Sequence, residues 1–132
     1  MAFSAFTDEA VFTDNRANNL CNIIMQMMIT EFSADVDTKF CLTGTVAKII
    51  QGAALTDVKV IPFITNDIKF FNFFKNTIAP YLKANVVTYT DRIQLTYQGV
   101  FVELWVTGVI GTVHIITGLN VQDPGDIPIN IN

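Results

Sequence analysis

Between residues 16 and 32 the apolar positions Ala17, Leu20, Cys21, Ile24, Met27 and Met28 recur at helical spacing, while Asn18, Asn19, Asn22, Gln26 and Thr30 occupy the opposite side. That period predicts one long amphipathic helix whose methionines, Met25 included, belong to the core. Ahead of it, residues 1–13 form a leader spotted with Phe3, Phe6 and Phe12, and Thr13 or Asp14 is placed to cap the helix. Residues 40–43 (FCLT) predict a short strand stopped at Gly44. Thr45 is then expected to cap a short helix over 46–51, closed by Gly52. Residues 57–65 (DVKVIPFIT) predict a buried strand in which Pro62, lacking an amide hydrogen, belongs at an end or an edge.

Thr65, Asn66 and Asp67 offer caps for a second long helix bearing Ile68, Phe70, Phe71, Phe73, Phe74, Ile78 and Tyr81, with a kink or stop expected near Ala79 because Pro80 follows. Beyond it the pattern turns to period two: strands over 86–90, 92–97 and 100–106, the last two joined by Gln98-Gly99. In the last of these Phe101, Glu103 and Trp105 share one face and Val102, Leu104 and Val106 the other, so a charge sits in mid-strand. Residues 108–118 favour strand through their β-branched content. Residues 119–132, with two prolines and a glycine, are expected to be an extended tail. The sum is a single α/β (α+β) domain over 1–132, core about 14–118, with a small mixed sheet, helices packed against it and tails at both ends.

Composition narrows the function classes. The chain has 132 residues, 51% of them hydrophobic and only 15% charged, below the usual share of about 25%. Eight basic residues against twelve acidic give a net charge of −4, and the six lysines stand singly, so no basic stripe marks a nucleic-acid binder. The first nine residues include Asp8 and Glu9 and no Lys or Arg, unlike a signal peptide, and no apolar run reaches about 18 residues. A cytoplasmic protein without a membrane segment is the expectation. Cys21 and Cys41 lie apart in apolar segments and read as buried thiols rather than a disulfide or zinc site. The lone histidine, His114, lacks a partner for a triad.

One ordered set of residues points to chemistry: a Gly44-Thr45 turn opening a short helix, Asp57 at the start of a strand, and Glu103 on a later strand. The segment 42–63, LTGTVAKIIQGAALTDVKVIPF, resembles the nucleotidyltransferase superfamily, which carries a glycine turn before a short helix, then Asp-x-Asp on a strand and a third carboxylate on a neighbour. The resemblance extends over residues 16–106. It implies that Gly44 and Thr45 form the phosphate turn and that Asp57 and Glu103 hold magnesium for transfer from a nucleoside triphosphate, since helix amides favour phosphate and paired metals support in-line displacement.

The second carboxylate position is Lys59. An ammonium there repels the divalent cation the family pattern requires and favours an ion pair with Asp57 or Glu103 instead. The expectation is therefore a degenerate nucleotidyltransferase-like pseudoenzyme, without cofactor, acting as a structural or assembly subunit beside other protein subunits in an oligomer or larger complex. The Asn-, Ile- and Phe-rich usage fits an AT-rich genome and extends that expectation to a phage virion component. The alternative is an active nucleotidyltransferase, toxin-type or small-molecule-modifying, using Asp57 and Glu103.

Overall fold

The computed structural model describes residues 15–54, 60–116 and 118–131, with the side chains of 15–18 left aside. The leader expected over residues 1–13, and the Asp57–Lys59 portion of the predicted strand, lie outside these. The described chain forms a seven-stranded mixed sheet with helices on one face. Helix α1 (Asn15–Phe32) leads through a 3-10 turn (Ser33–Asp35) and the single turn α2 (Val36–Lys39) into β1 (Phe40–Leu42). Then follow α3 (Gly44–Ile50), β2 (Val60–Thr65), and a helical run made of α4 (Ile68–Phe73), a π-turn (Phe74–Ile78) and α5 (Ala79–Leu82). The remainder is β3 (Asn85–Thr88), β4 (Arg92–Tyr97), β5 (Val100–Val106), β6 (Val113–Ile116) and β7 (Leu119–Gln122).

The sheet order is β3-β4-β5-β2-β1-β7-β6. β2 runs parallel to β5 and β1 parallel to β7, while the β1–β2, β3–β4, β4–β5 and β6–β7 pairs are antiparallel. The β4–β5 hairpin turns at Gln98 and Gly99 with φ of 50° and 81°, the paired positive values that match strand twist in a two-residue loop.

Period-two burial fixes which face is which. Leu42, Ile61, Phe63, Ile93, Leu95, Val102, Leu104, Leu119 and Val121 join Leu20, Ile24, Met25, Met28, Phe70 and Phe74 in the main core between sheet and helices. Phe40 is central to it, stacked on Phe63 (4.9 Å between ring centroids) and Phe70 (5.9 Å). Met25 and Met28 are fully buried as expected, whereas Met27 is half-buried at the helix surface. A smaller cluster of Cys41, Ile64, Ile110 and Ile131, flanked by Trp105 and Val113, covers part of the opposite face.

Four expectations are corrected. Residues 119–122 are not a tail but a completely buried strand, and Ile131 packs on the second face, so this end of the chain is part of the fold. Pro62 lies inside a central strand. Its place is tolerated because β1 ends at Leu42, paired with Phe63, and the chain turns away at Thr43, whose amide donates to the Pro62 carbonyl at 2.9 Å; no donor is wanted there. The cap of α3 is Thr43 rather than Thr45, and its hydroxyl bonds elsewhere. Of the kink or stop expected near Ala79, the stop does not occur: the second helix runs past Pro80 to Leu82. The wider π-turn immediately upstream absorbs the missing amide and ring clash that proline brings.

Candidate functional site

The sequence places Gly44 and Thr45 at the turn between β1 and α3, and they are there. Gly44 is buried with φ of +63°, a left-handed value that a side chain resists, and it lets the chain leave β1 and enter α3 at once. The neighbouring Thr43 is the unexpected participant. Its hydroxyl donates to Oε1 of Gln122 at 2.5 Å, and both side chains are fully buried. Gln122 Nε2 in turn donates to the Ile110 carbonyl (2.8 Å) and the Asp126 carbonyl (3.2 Å), while its own backbone carbonyl accepts from Gln51 Nε2 at the far end of α3 (2.8 Å). The glycine turn is thus fastened to the C-terminal segment by a chain of satisfied polar groups. Gly111 permits that segment to close in, since its φ is +73° and a Cβ there would strike the Asp126 carboxylate, which accepts from the Thr112 amide at 2.9 Å.

Glu103 stands in the middle of β5, opposite Pro62 of β2 and Gln94 of β4. It lies on the face away from the helices, as the alternation predicts, with its side chain 15% exposed. Both carboxylate oxygens are engaged: Oε1 accepts from Trp105 Nε1 at 3.1 Å, and Oε2 accepts from Gln94 Nε2 at 3.3 Å. Arg92 Nε lies 3.4 Å from Oε2, close enough for charge attraction but too poorly aligned to count as a hydrogen bond, which leaves that buried N–H without an acceptor. The Arg92 guanidinium lies between the rings of Tyr89 (4.3 Å) and Trp105 (4.6 Å) and donates to Asp91 at 3.0 Å. Among the described residues the cation beside Glu103 is Arg92. Asp57 and Lys59 fall outside the described residues, so the triangle they were expected to form with Glu103 has only its third corner on view.

Sequence reading missed Thr43, Gln122 and Arg92. Arg92 stands across from Trp105 in the β4–β5 register, a pairing that the Gln98-Gly99 turn would have fixed once the hairpin was aligned. Gln122 carried a weaker signal, the alternation Leu119-Asn120-Val121-Gln122, hidden in what read as a tail.

Other ionisable groups sit elsewhere. At the opposite end of β1 and β2, Asp35, Lys39, Asp67 and Lys69 form a partly exposed cluster. The hydrogen bond from Lys69 holds the Asp35 carboxyl below its ordinary range, and the Lys69 backbone amide does the same for Asp67, while Asp35 raises Lys69. His114 does have a partner, Asp123 at 2.8 Å, which its hydrogen bond keeps low, but both are surface groups. Among the described residues no group of three or more His, Cys, Asp or Glu is placed to hold a metal, and no helix is long and apolar enough to cross a membrane. An open groove of about 290 Å³ runs between α1 and the second helix, lined by Gln26, Met27, Thr30, Glu31, Phe73 and Thr77.

No protein-family model and no curated protein matches the chain. Among solved structures, the Thermotoga maritima CCA-adding enzyme complexed with tRNA is similar over 96% of this chain at a TM-score of 0.56 and 14% identity. The fold is nucleotidyltransferase-like. This chain spans 31% of that enzyme's length. A tRNA nucleotidyltransferase complexed with a primer tRNA and an incoming ATP analog is similar over 64% of this chain and 22% of its own, with 16% identity and a TM-score of 0.42.

Proposed function

We propose that the chain is a catalytically degenerate nucleotidyltransferase-like domain serving as a structural or assembly subunit in a larger protein complex. The observation that carries this reading is the state of Glu103. A magnesium ligand must offer oxygen lone pairs to the ion, and it takes part in a site of net negative charge. Here the carboxylate is committed to Trp105, Gln94 and the Arg92 charge, all within the same sheet face. Each oxygen keeps a second lone pair, but a metal drawn to it would compete with those donors and set a divalent cation beside the Arg92 guanidinium. The Lys59 found at the second carboxylate position in the sequence, and the Thr43–Gln122 fastening beside the turn, support the same conclusion.

The test is calorimetric titration of the full chain with ATP and with CTP, with and without magnesium, alongside Glu103→Gln. The expected result is no magnesium-dependent heat at millimolar nucleotide and identical traces for the variant. Magnesium-dependent binding that Glu103→Gln abolishes would establish the opposite reading, an active nucleotidyltransferase using Asp57 and Glu103.

A further inference from the structure

The groove between α1 and the second helix has an apolar floor and an unengaged polar rim. Met27 and Phe73 are its half-buried floor, and Phe73 is held edge-on against Phe32 with ring centroids 5.3 Å apart. Gln26, Thr30, Glu31 and Thr77 form the rim. All four are exposed, and among the described residues no hydrogen bond or ion pair engages their side chains. A concave apolar surface ringed by a few convergent polar groups is the ordinary form of a small-ligand site.

Glu31 gives the groove its sign. It stands in the last turn of α1, which holds no basic residue, so a carboxylate is added to the negative end of the helix dipole. Lys69, over the Phe32 ring at 5.5 Å, is committed to Asp35 and Asp67 and leaves Glu31 uncompensated. An acidic residue in that position costs stability unless a cation answers it. The π-turn that accommodates Pro80 also carries Thr77 onto the opposite wall, and such turns concentrate at functional sites. We infer that the groove binds a small organic cation, an ammonium group joined to one ring or a short apolar chain. The ammonium lies beside the Glu31 carboxylate and the Thr30 and Thr77 hydroxyls, which accept its hydrogens, and the apolar part covers Met27 and Phe73.

Size selects this occupant over a partner helix. The lining runs from Gln26 to Glu31 on one wall and from Phe73 to Thr77 on the other, about 6–8 Å along each axis. A docked helix is held by anchors out to i+7, about 10 Å of surface, whereas a cavity of about 290 Å³ is at the lower limit of small-ligand sites. Met27, unbranched and polarizable, adapts to the ring or chain it meets. The site is built from α1 and the second helix alone, so it stands whether or not the Gly44 turn and Glu103 take part in chemistry.

Titration of the full chain with phenethylammonium chloride at neutral pH, followed by NMR of the Met27 methyl group and the backbone amides, tests it. Saturable shifts are expected at Met27, Thr30, Glu31, Phe73 and Thr77, with a Kd of about 1–10 mM. Phenethyl alcohol, of the same shape without the charge, is expected to bind about two- to fivefold more weakly, and Glu31→Gln to erase that difference. Because Glu31→Gln removes a charge that opposes the helix dipole, it is expected to fold at least as stably as the wild type. N-acetyl-lysine amide, which carries its ammonium on a flexible chain, is expected to bind more weakly than phenethylammonium. Binding as tight as phenethylammonium's would assign the groove to a lysine of a partner protein and overturn the inference. So would the absence of saturable shifts at these residues up to about 50 mM, an alcohol that binds as tightly as the amine, or a preference for the amine that survives Glu31→Gln.

Discussion

Replacing Gln122 by leucine probes the fastening between the Gly44 turn and the C-terminal segment. The side chain is fully buried, accepts from the Thr43 hydroxyl and donates to the carbonyls of Ile110 and Asp126. Leucine fills much of the same volume but leaves the Thr43 hydroxyl and the Ile110 carbonyl buried without partners, at about 1–3 kcal/mol each. Water can reach the partly buried Asp126 carbonyl, and the added apolar surface returns some stability, so the net loss is about 2–4 kcal/mol. For a domain of this size that lowers the melting temperature by roughly 8–16 °C. Thr43→Val alone orphans only the Gln122 oxygen. The double variant removes both members of the pair, so it should cost little more than Gln122→Leu, with a coupling of about 1–2 kcal/mol. Urea unfolding followed by circular dichroism measures all three. If Gln122→Leu falls within about 0.5 kcal/mol of wild type, or if the two single changes simply add, the network does not hold the turn.

Phe40→Ala, which removes a ring stacked between Phe63 and Phe70, should destabilise by about 3–5 kcal/mol in the same urea assay. Burial pushes the Cys41 thiol up to about 12, and raises Cys21 as well, so neither should react with a disulfide reagent at pH 8 until the chain is unfolded; rapid labelling of the native protein would contradict their burial. Asp35 and Asp67 are held below their ordinary value of 3.8, so their contribution is present above that pH and fades as the pH falls through their lowered folded values. Because solvent reaches both and screens their pairs the acid loss should be shallow, and Lys69→Met should flatten it further in a pH series of urea midpoints.

Where a single period ran long enough, the sequence told the structure directly. Helix α1 lies within a residue of its predicted start, the three strands after Lys83 appear in order, and the alternation along β5 put Glu103 on the correct face. The failures have physical causes. The C-terminal strand is four residues long; one neighbour, β6, is the adjoining arm of a hairpin, but the other, β1, comes from a distant part of the chain, so half of its ladder lies outside any local window. Pro62 and Pro80 were read by local rules that the end of β1 and the π-turn override. Of the candidate site, residue types foretold the Gly44 turn and the position of Glu103 on its strand. They did not foretell that Arg92, Gln94 and Trp105 occupy that carboxylate, because those contacts depend on register between strands.

Trp105 is the chain's sole tryptophan, and it meets Glu103 through its indole N–H, Arg92 through its ring and the Cys41–Ile64–Ile110–Ile131 cluster through its packing. Its fluorescence is thus a built-in optical reporter at the junction of the carboxylate network and the C-terminal cover. Peeling away that cover would admit water to the indole and shift its emission to the red, a change to be set against melting of the helical layer followed by circular dichroism. A single spectrum recorded along a denaturant gradient would reveal whether the two faces of the sheet come apart together or in sequence.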